Sequence, residues 1–167
     1  MIIRLATKTD YKRIAMALFN KKIDYITPAH AKTDIENNRL YVMENAGRVI
    51  AQCALVYEPN YNYYAIKRLV IYNKKDCGKG IARRFIRHFC SMNLPALGCT
   101  PWSNNEAMKH LLSQNGFKYQ YTFLNYYEFF VKRGWQIVNP YGIIKIQKRK
   151  ELITMKVTRE NILRILR

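Results

Sequence analysis

The stretch Lys75-Asp76-Cys77-Gly78-Lys79-Gly80 carries the residue types and spacing that point most directly to chemistry. Two glycines flanking a single lysine separate a β-prone run, 66–72, from a run in which Ile81, Ala82, Phe85, Ile86 and Phe89 recur at helical spacing. Strand, glycine loop and helix together present backbone N–H groups to an anion. The first amides of a helix lack intrahelical acceptors and the helix dipole is positive there, so a phosphate or pyrophosphate is stabilised. Lys75, Lys79, Arg83 and Arg84 add charge of the same sign. A tight turn whose glycines only supply positive φ fits the same residues, and two glycines alone do not decide between the two readings.

The chain that must position this loop is 167 residues long, which predicts one domain with a substantial core and a small appendage. Hydrophobic residues make up 49% and aromatics 13%, in runs broken by polar residues, which excludes a disordered chain. The N-terminal sequence has no signal-peptide apolar core, and no stretch approaches the roughly 20 apolar residues of a membrane span, so a cytoplasmic protein is expected. Cys53, Cys77, Cys90 and Cys99 lack paired zinc or redox spacing, and His30, His88 and His110 do not cluster with them. Reduced thiols and no metal are therefore expected. The charge is more telling. Lys and Arg number 29 against 11 Asp and Glu, a net +18, beyond what solubility asks of a small domain. Nucleic acid or another polyanion becomes an expected partner, ahead of a basic surface with no dedicated ligand.

In chain order, residues 2–5 read as a strand, and Thr7 to Asp10 as a helix start ahead of Tyr11, Ile14, Ala15 and Leu18. Thr27-Pro28 starts a second, weakly amphipathic helix. Residues 39–44 and 48–57 form a hairpin signature across Asn45-Ala46-Gly47, and 61–72 is a third adjacent strand, long enough to need a kink or bulge. After the glycine loop and its helix come a buried strand at 95–100 and a helix containing Ala107, Met108, Leu111 and Leu112. That helix has a capping box at Ser103-Asn104-Asn105-Glu106 and ends at Gly116. Strands at 117–123 and 126–131 follow across Leu124-Asn125. Residues 133–167 read as a basic extension holding a strand pair and a short helix.

The order of elements and two motifs resemble the GCN5-related N-acetyltransferase (GNAT) superfamily over residues 1–132. That family's pyrophosphate loop, R/Q-x-x-G-x-G/A, matches Lys75 to Gly80 with lysine in first place, and its later N-x-x-A…G-F motif is met by Asn104, Ala107, Gly116 and Phe117. The resemblance implies an α/β fold of the mixed α+β kind: a mostly antiparallel central sheet of about seven strands with a splayed cleft, followed here by the basic extension. It also implies acetyl-CoA as co-substrate. Leu69, Val70 and Ile71 would present backbone to the pantetheine arm, and the amides of Cys77, Gly78, Lys79, Gly80, Ile81 and Ala82 would take the pyrophosphate, assisted by the charges of Lys75 and Lys79. Glycine would be needed in that loop so that no Cβ obstructs the approach. Asn104 would stand near the pantetheine and adenosine end, or serve only as helix-start polarity.

Two departures from the family pattern bear on mechanism. Leu111 stands where many members carry a tyrosine that protonates the departing thiolate, and the run 61–72 has no carboxylate where many carry a glutamate base. Glu58, at the end of the neighbouring strand, is the candidate base, with solvated surface as the plainer reading. Arg68 is the candidate to orient the acceptor or its phosphate, with a surface cation as the plainer reading. Lys67 and Arg68 in place of the glutamate would disfavour a cationic amine, so the expected acceptor is anionic or uncharged. The implied function is acyl-CoA-dependent N-acetyl transfer to an amine, nucleic-acid-linked or otherwise anionic. A Mom-like phage DNA-base modification protein and a non-catalytic GNAT-like module binding CoA or nucleic acid are the alternatives.

Overall fold

The computed structural model describes residues 1–21, 26–59, 62–123 and 127–132. The chain divides into two compact units, residues 1–58 with 64–95 and residues 59–63 with 96–167. The strand and helix boundaries follow the expected order closely, and the basic extension at 133–167 lies outside the described residues.

The first unit begins with β1 (Ile2–Leu5), a 3-10 turn at Lys8–Asp10, α1 (Tyr11–Lys21) and α2 (Pro28–Glu36). It continues with β2 (Leu40–Asn45), β3 (Arg48–Glu58), β4 (Tyr63–Ile71) and α3 (Ile81–Ser91). The strands lie in the order β1-β2-β3-β4, and the β1–β2 and β2–β3 pairings are antiparallel. The β2–β3 turn closes on two residues, Ala46 and Gly47, both at left-handed φ (48° and 72°), with Asn45 opposite Arg48. Positive φ at both central positions is the twist-matched geometry of a two-residue hairpin.

Helices cover both faces of these strands, and the sequence of β3 shows why. Every residue from Val49 to Val56 is buried, including both phases of the strand alternation. On one face Leu40, Val42, Ala54, Val56 and Val70 pack with Ile14 and Leu18 of α1 and Ala31 and Ile35 of α2. On the other, Phe85, Ile86 and Phe89 of α3 are fully buried, and the Tyr41 ring meets Phe89 edge-on at 5.1 Å. Each such phenylalanine contributes about 1.5–3 kcal/mol by leaving water.

Polar side chains fix the helix entries. Arg4 reaches both Asp10 oxygens, at 2.7 and 3.0 Å, and Glu44 at 2.9 Å, tying β1 to β2 and to the first helical turn. That guanidinium holds the Asp10 carboxyl down at about 2. Thr27 Oγ1 accepts from the His30 amide and Pro28 opens α2, as the sequence predicts.

The second unit holds β5 (Leu97–Cys99), α4 (Glu106–Gln114), β6 (Phe117–Phe123) and β7 (Tyr127–Lys132), with strands in the order β5-β7-β6 and both pairings antiparallel. Among the described residues the strands number seven. The cap of α4 differs from the expected one. Asn105, not Ser103, is the N-cap, its Oδ1 accepting from the Met108 amide at 3.1 Å.

Candidate functional site

The glycine loop is built by a short 3-10 turn, Lys74–Asp76, that leaves the end of β4 and delivers the chain to α3. Gly78 and Gly80 sit at φ 79° and 72°, and Gly80 is the N-cap of α3. A Cβ on either glycine would meet no atom within 4 Å. Within the protein, then, left-handed backbone and not crowding makes these positions glycine. The open space over the loop is also what an approaching anion needs. The amides of Gly78, Lys79, Gly80, Ile81 and Ala82 have no backbone acceptor among the described residues. Cys77 differs from its expected role, because its N–H donates to the Lys74 carbonyl at 3.0 Å and closes the 3-10 turn. Five consecutive N–H groups without a backbone acceptor at a helix N-terminus fit a pyrophosphate.

Asp76 supports the loop from beneath, a role that sequence reasoning missed. It is 3% exposed, Lys79 Nζ lies 3.2 Å from its Oδ1, and Arg48 lies 3.6 Å from Oδ2, which makes no hydrogen bond among the described residues. Lys79 is thereby pinned beside the loop with part of its charge offset, whereas the exposed Lys75 has no described carboxylate partner. The only signal available for Asp76 is an acid inside an otherwise basic stretch.

Along β4, Arg68 adopts φ 52°, an unusual conformation for a non-glycine residue, and supplies the kink that the length of the strand requires. Its guanidinium grips Asp34 of α2 in a bidentate pair at 2.6 and 2.7 Å. Arg39 donates to the same carboxylate at 2.7 Å. Asp34 is 1% exposed, so the two guanidiniums supply the compensation a buried carboxylate requires. Lys67 in turn meets Glu58 at 2.5 Å. Both cations of β4 are balanced by carboxylates, so this strand has little uncompensated charge with which to repel a cationic amine. Glu58 and Arg68 are each placed in an ion pair. Of the three residues expected to face the pantetheine arm, Val70 is buried in the core, the Ile71 carbonyl accepts from Lys21 Nζ, and Leu69 is half-buried.

In the second unit, transfer of the capping role to Asn105 leaves the exposed Asn104 side chain outside the helix cap. Leu111 is half-buried on α4, and His110 is engaged with Gln114 at 2.8 Å. Cys53 and Cys99 are buried, and burial pushes the Cys99 thiol up to about 12, which removes it as a nucleophile. No cluster of metal-ligating side chains occurs among the described residues, and no helix among them is long and apolar enough to cross a membrane.

No family model matches the chain, and no curated protein matches it. Solved structures do. An acetyltransferase of the GNAT family from Streptococcus agalactiae superposes with a TM-score of 0.66 at 20% identity, covering 81% of this chain and 96% of that one. The chain has the GNAT fold. A GNAT-family acetyltransferase from Bacillus cereus gives a TM-score of 0.65 at 11% identity over 81% of this chain and 98% of its own. A point mutant of the spermidine N-acetyltransferase SpeG of Vibrio cholerae gives 0.60 at 19% over 79% and 94%. At these identities the shared feature is the GNAT fold, which agrees with the element order and the glycine loop described above.

Proposed function

We propose that the chain is an acyl-CoA-dependent N-acyltransferase, with acetyl-CoA as donor and an amine as acceptor. The observation that carries this reading is the row of amides without backbone acceptors from Gly78 to Ala82 at the start of α3, in a chain with the GNAT fold. Those amides take the pyrophosphate, Lys75 and Lys79 add charge, and Leu69, Val70 and Ile71 follow the kink at Arg68 to offer backbone to the pantetheine arm. Asn104, free of the α4 cap, assists at the adenosine end. The acceptor nitrogen adds to the thioester carbonyl, a backbone N–H stabilises the oxyanion, the new C–N bond forms, the C–S bond breaks, and the thiolate leaves to be protonated. Leu111 donates no proton, so water serves the thiolate. Glu58, once released from Lys67, is the group available to accept the proton of the amine.

The neighbours include a spermidine N-acetyltransferase. For this chain the net charge of +18 favours an acceptor carried on nucleic acid or another polyanion, whose exocyclic base amine is uncharged at neutral pH. Residues 1–132 form the catalytic portion in this reading, and 133–167 contribute further positive charge.

The test is thermal denaturation of the full chain with acetyl-CoA, CoA and a nucleotide mixture. Acetyl-CoA at a hundredfold excess over Kd is expected to raise Tm by about 5–10 °C, and no rise overturns the reading. Release of free thiol with candidate amine acceptors then separates an enzyme from a module that binds without turnover, the second reading that Leu111 favours.

A further inference from the structure

At the glycine loop itself, a cavity of about 520 Å³ opens on the first unit, lined by Lys79 and Gly80 of the loop, by Arg84, Arg87 and His88 of α3, and by Ile3 of β1 among others. Arg87 lies seven residues past Gly80, about 10 Å along the helix axis at 1.5 Å per residue. A pyrophosphate seated on the N-terminal amides spans less than that distance, so the Arg87 end of the cavity is left for another group. The sequence of α3, IARRFIRHFCS, has no acid, and among the described residues neither Arg84 nor Arg87 has a carboxylate within ion-pair distance. Like charges one turn apart destabilise a helix unless an anion offsets them. This stripe contrasts with Lys67, Arg68 and Lys79, each of which has its acid. The other lining residues, Met1, Ile3 and Met43, have apolar side chains, and the half-buried His88 ring lies 5.8 Å from both Tyr41 and Phe89, which hold the ring in place.

Cations and apolar side chains lining one cavity with an aromatic ring held in place match a nucleotide, whose phosphates are anionic and whose base is flat and apolar on its faces. We infer that this cavity binds a nucleotide unit of a single-stranded nucleic acid, phosphates on Arg84 and Arg87 and a base between His88 and Ile3. This deepens the acyltransferase reading by naming the acceptor class, and it rests on that reading only for the transfer itself.

The experiment uses a fluorescein-labelled single-stranded 12-mer and the full chain, with binding read by fluorescence anisotropy at stepped KCl. Arg84→Gln with Arg87→Gln is expected to weaken binding at least about tenfold and to flatten the slope of log K against log salt by about 1.4. Removing two exposed charges from α1 instead, Lys12→Gln with Arg13→Gln, is expected to change affinity less than about threefold. Arg84→Lys with Arg87→Lys keeps charge but loses the fork, and should fall between wild type and the glutamine pair. Acetyl-CoA should still raise the Tm of the single variant Arg87→Gln, which leaves the charges nearest the loop in place. Three results overturn the inference: no oligonucleotide binding by the wild type, equal losses from the α3 and α1 pairs, or a loss confined to acetyl-CoA and absent with its 3′-dephospho form, which would assign the cavity to the donor's 3′-phosphate. If acetyl-CoA fails to bind even the wild type while the oligonucleotide result stands, the acyltransferase reading falls and the nucleic-acid site remains.

Discussion

Asp34 is the residue on which the geometry around β4 converges. Its carboxylate, 1% exposed, accepts from Arg39 five residues away and from Arg68 thirty-four residues away, and it holds Arg68 at a φ of 52°. Backbone of that kind is worth about 1–3 kcal/mol of strain and persists only where surrounding contacts over-determine it. Asp34→Asn removes the charge and leaves two guanidiniums facing a neutral amide. Because Arg39 stays a third exposed, the expected cost is about 2–4 kcal/mol in urea denaturation, below the full cost of breaking a dry pair. Arg68→Gln should cost more than Arg39→Gln, since it loses a bidentate contact, and a change below about 0.5 kcal/mol for Asp34→Asn would show that the clamp does not hold the kink. The sequence points to Arg68 and passes over Asp34 for one reason. One of two acids in a weakly amphipathic helix, Asp34 looks like solvated surface until strand pairing brings its partners to it.

At the scale of elements, the strand, loop and helix boundaries are legible because turn chemistry marks them. Ala46-Gly47 and Gly78…Gly80 adopt left-handed backbone, and the apolar spacing changes period abruptly from β4 to α3 across the loop. The expected α4 cap falls two positions early for the opposite reason. Ser103, Asn104 and Asn105 are all good caps, and only the direction of the chain selects Asn105. The Cys77 amide looks available to an anion because nothing in the sequence announces a 3-10 turn at Lys74–Asp76. Gly80 tests the loop as an element. With no atom within 4 Å of where a methyl would sit, Gly80→Ala is strained only through φ, so about 1 kcal/mol of destabilisation is expected. Asn tolerates that conformation better, and Gly80→Asn should recover part of the loss in the same urea titration. Equal losses for the two variants would mean that something other than left-handed φ sets the requirement.

For the whole molecule the question is where the excess of 18 positive charges goes uncompensated. From the sequence, the strand before the loop is one such place. The structure instead shows Lys67, Arg68 and Lys79 each facing a carboxylate, while Arg84 and Arg87 of α3 face none among the described residues. Ion pairs with a buried partner, such as Arg4–Asp10 and Arg68–Asp34, are poorly screened by salt. Repulsion among exposed cations is screened well, since the Debye length falls from about 30 Å at 0.01 M to about 8 Å at 0.15 M. Raising KCl from low to physiological strength therefore relieves more repulsion than it removes attraction, and the compact state gains. A relief of about 1 kcal/mol corresponds to a Tm rise of about 2–4 °C, measurable by differential scanning fluorimetry of the full chain without ligand. Inorganic pyrophosphate at matched ionic strength should raise Tm further, because it occupies the loop amides as well as screening. A Tm that falls with KCl would show that paired charges outweigh the excess, and that net charge is no guide to the partner of this protein.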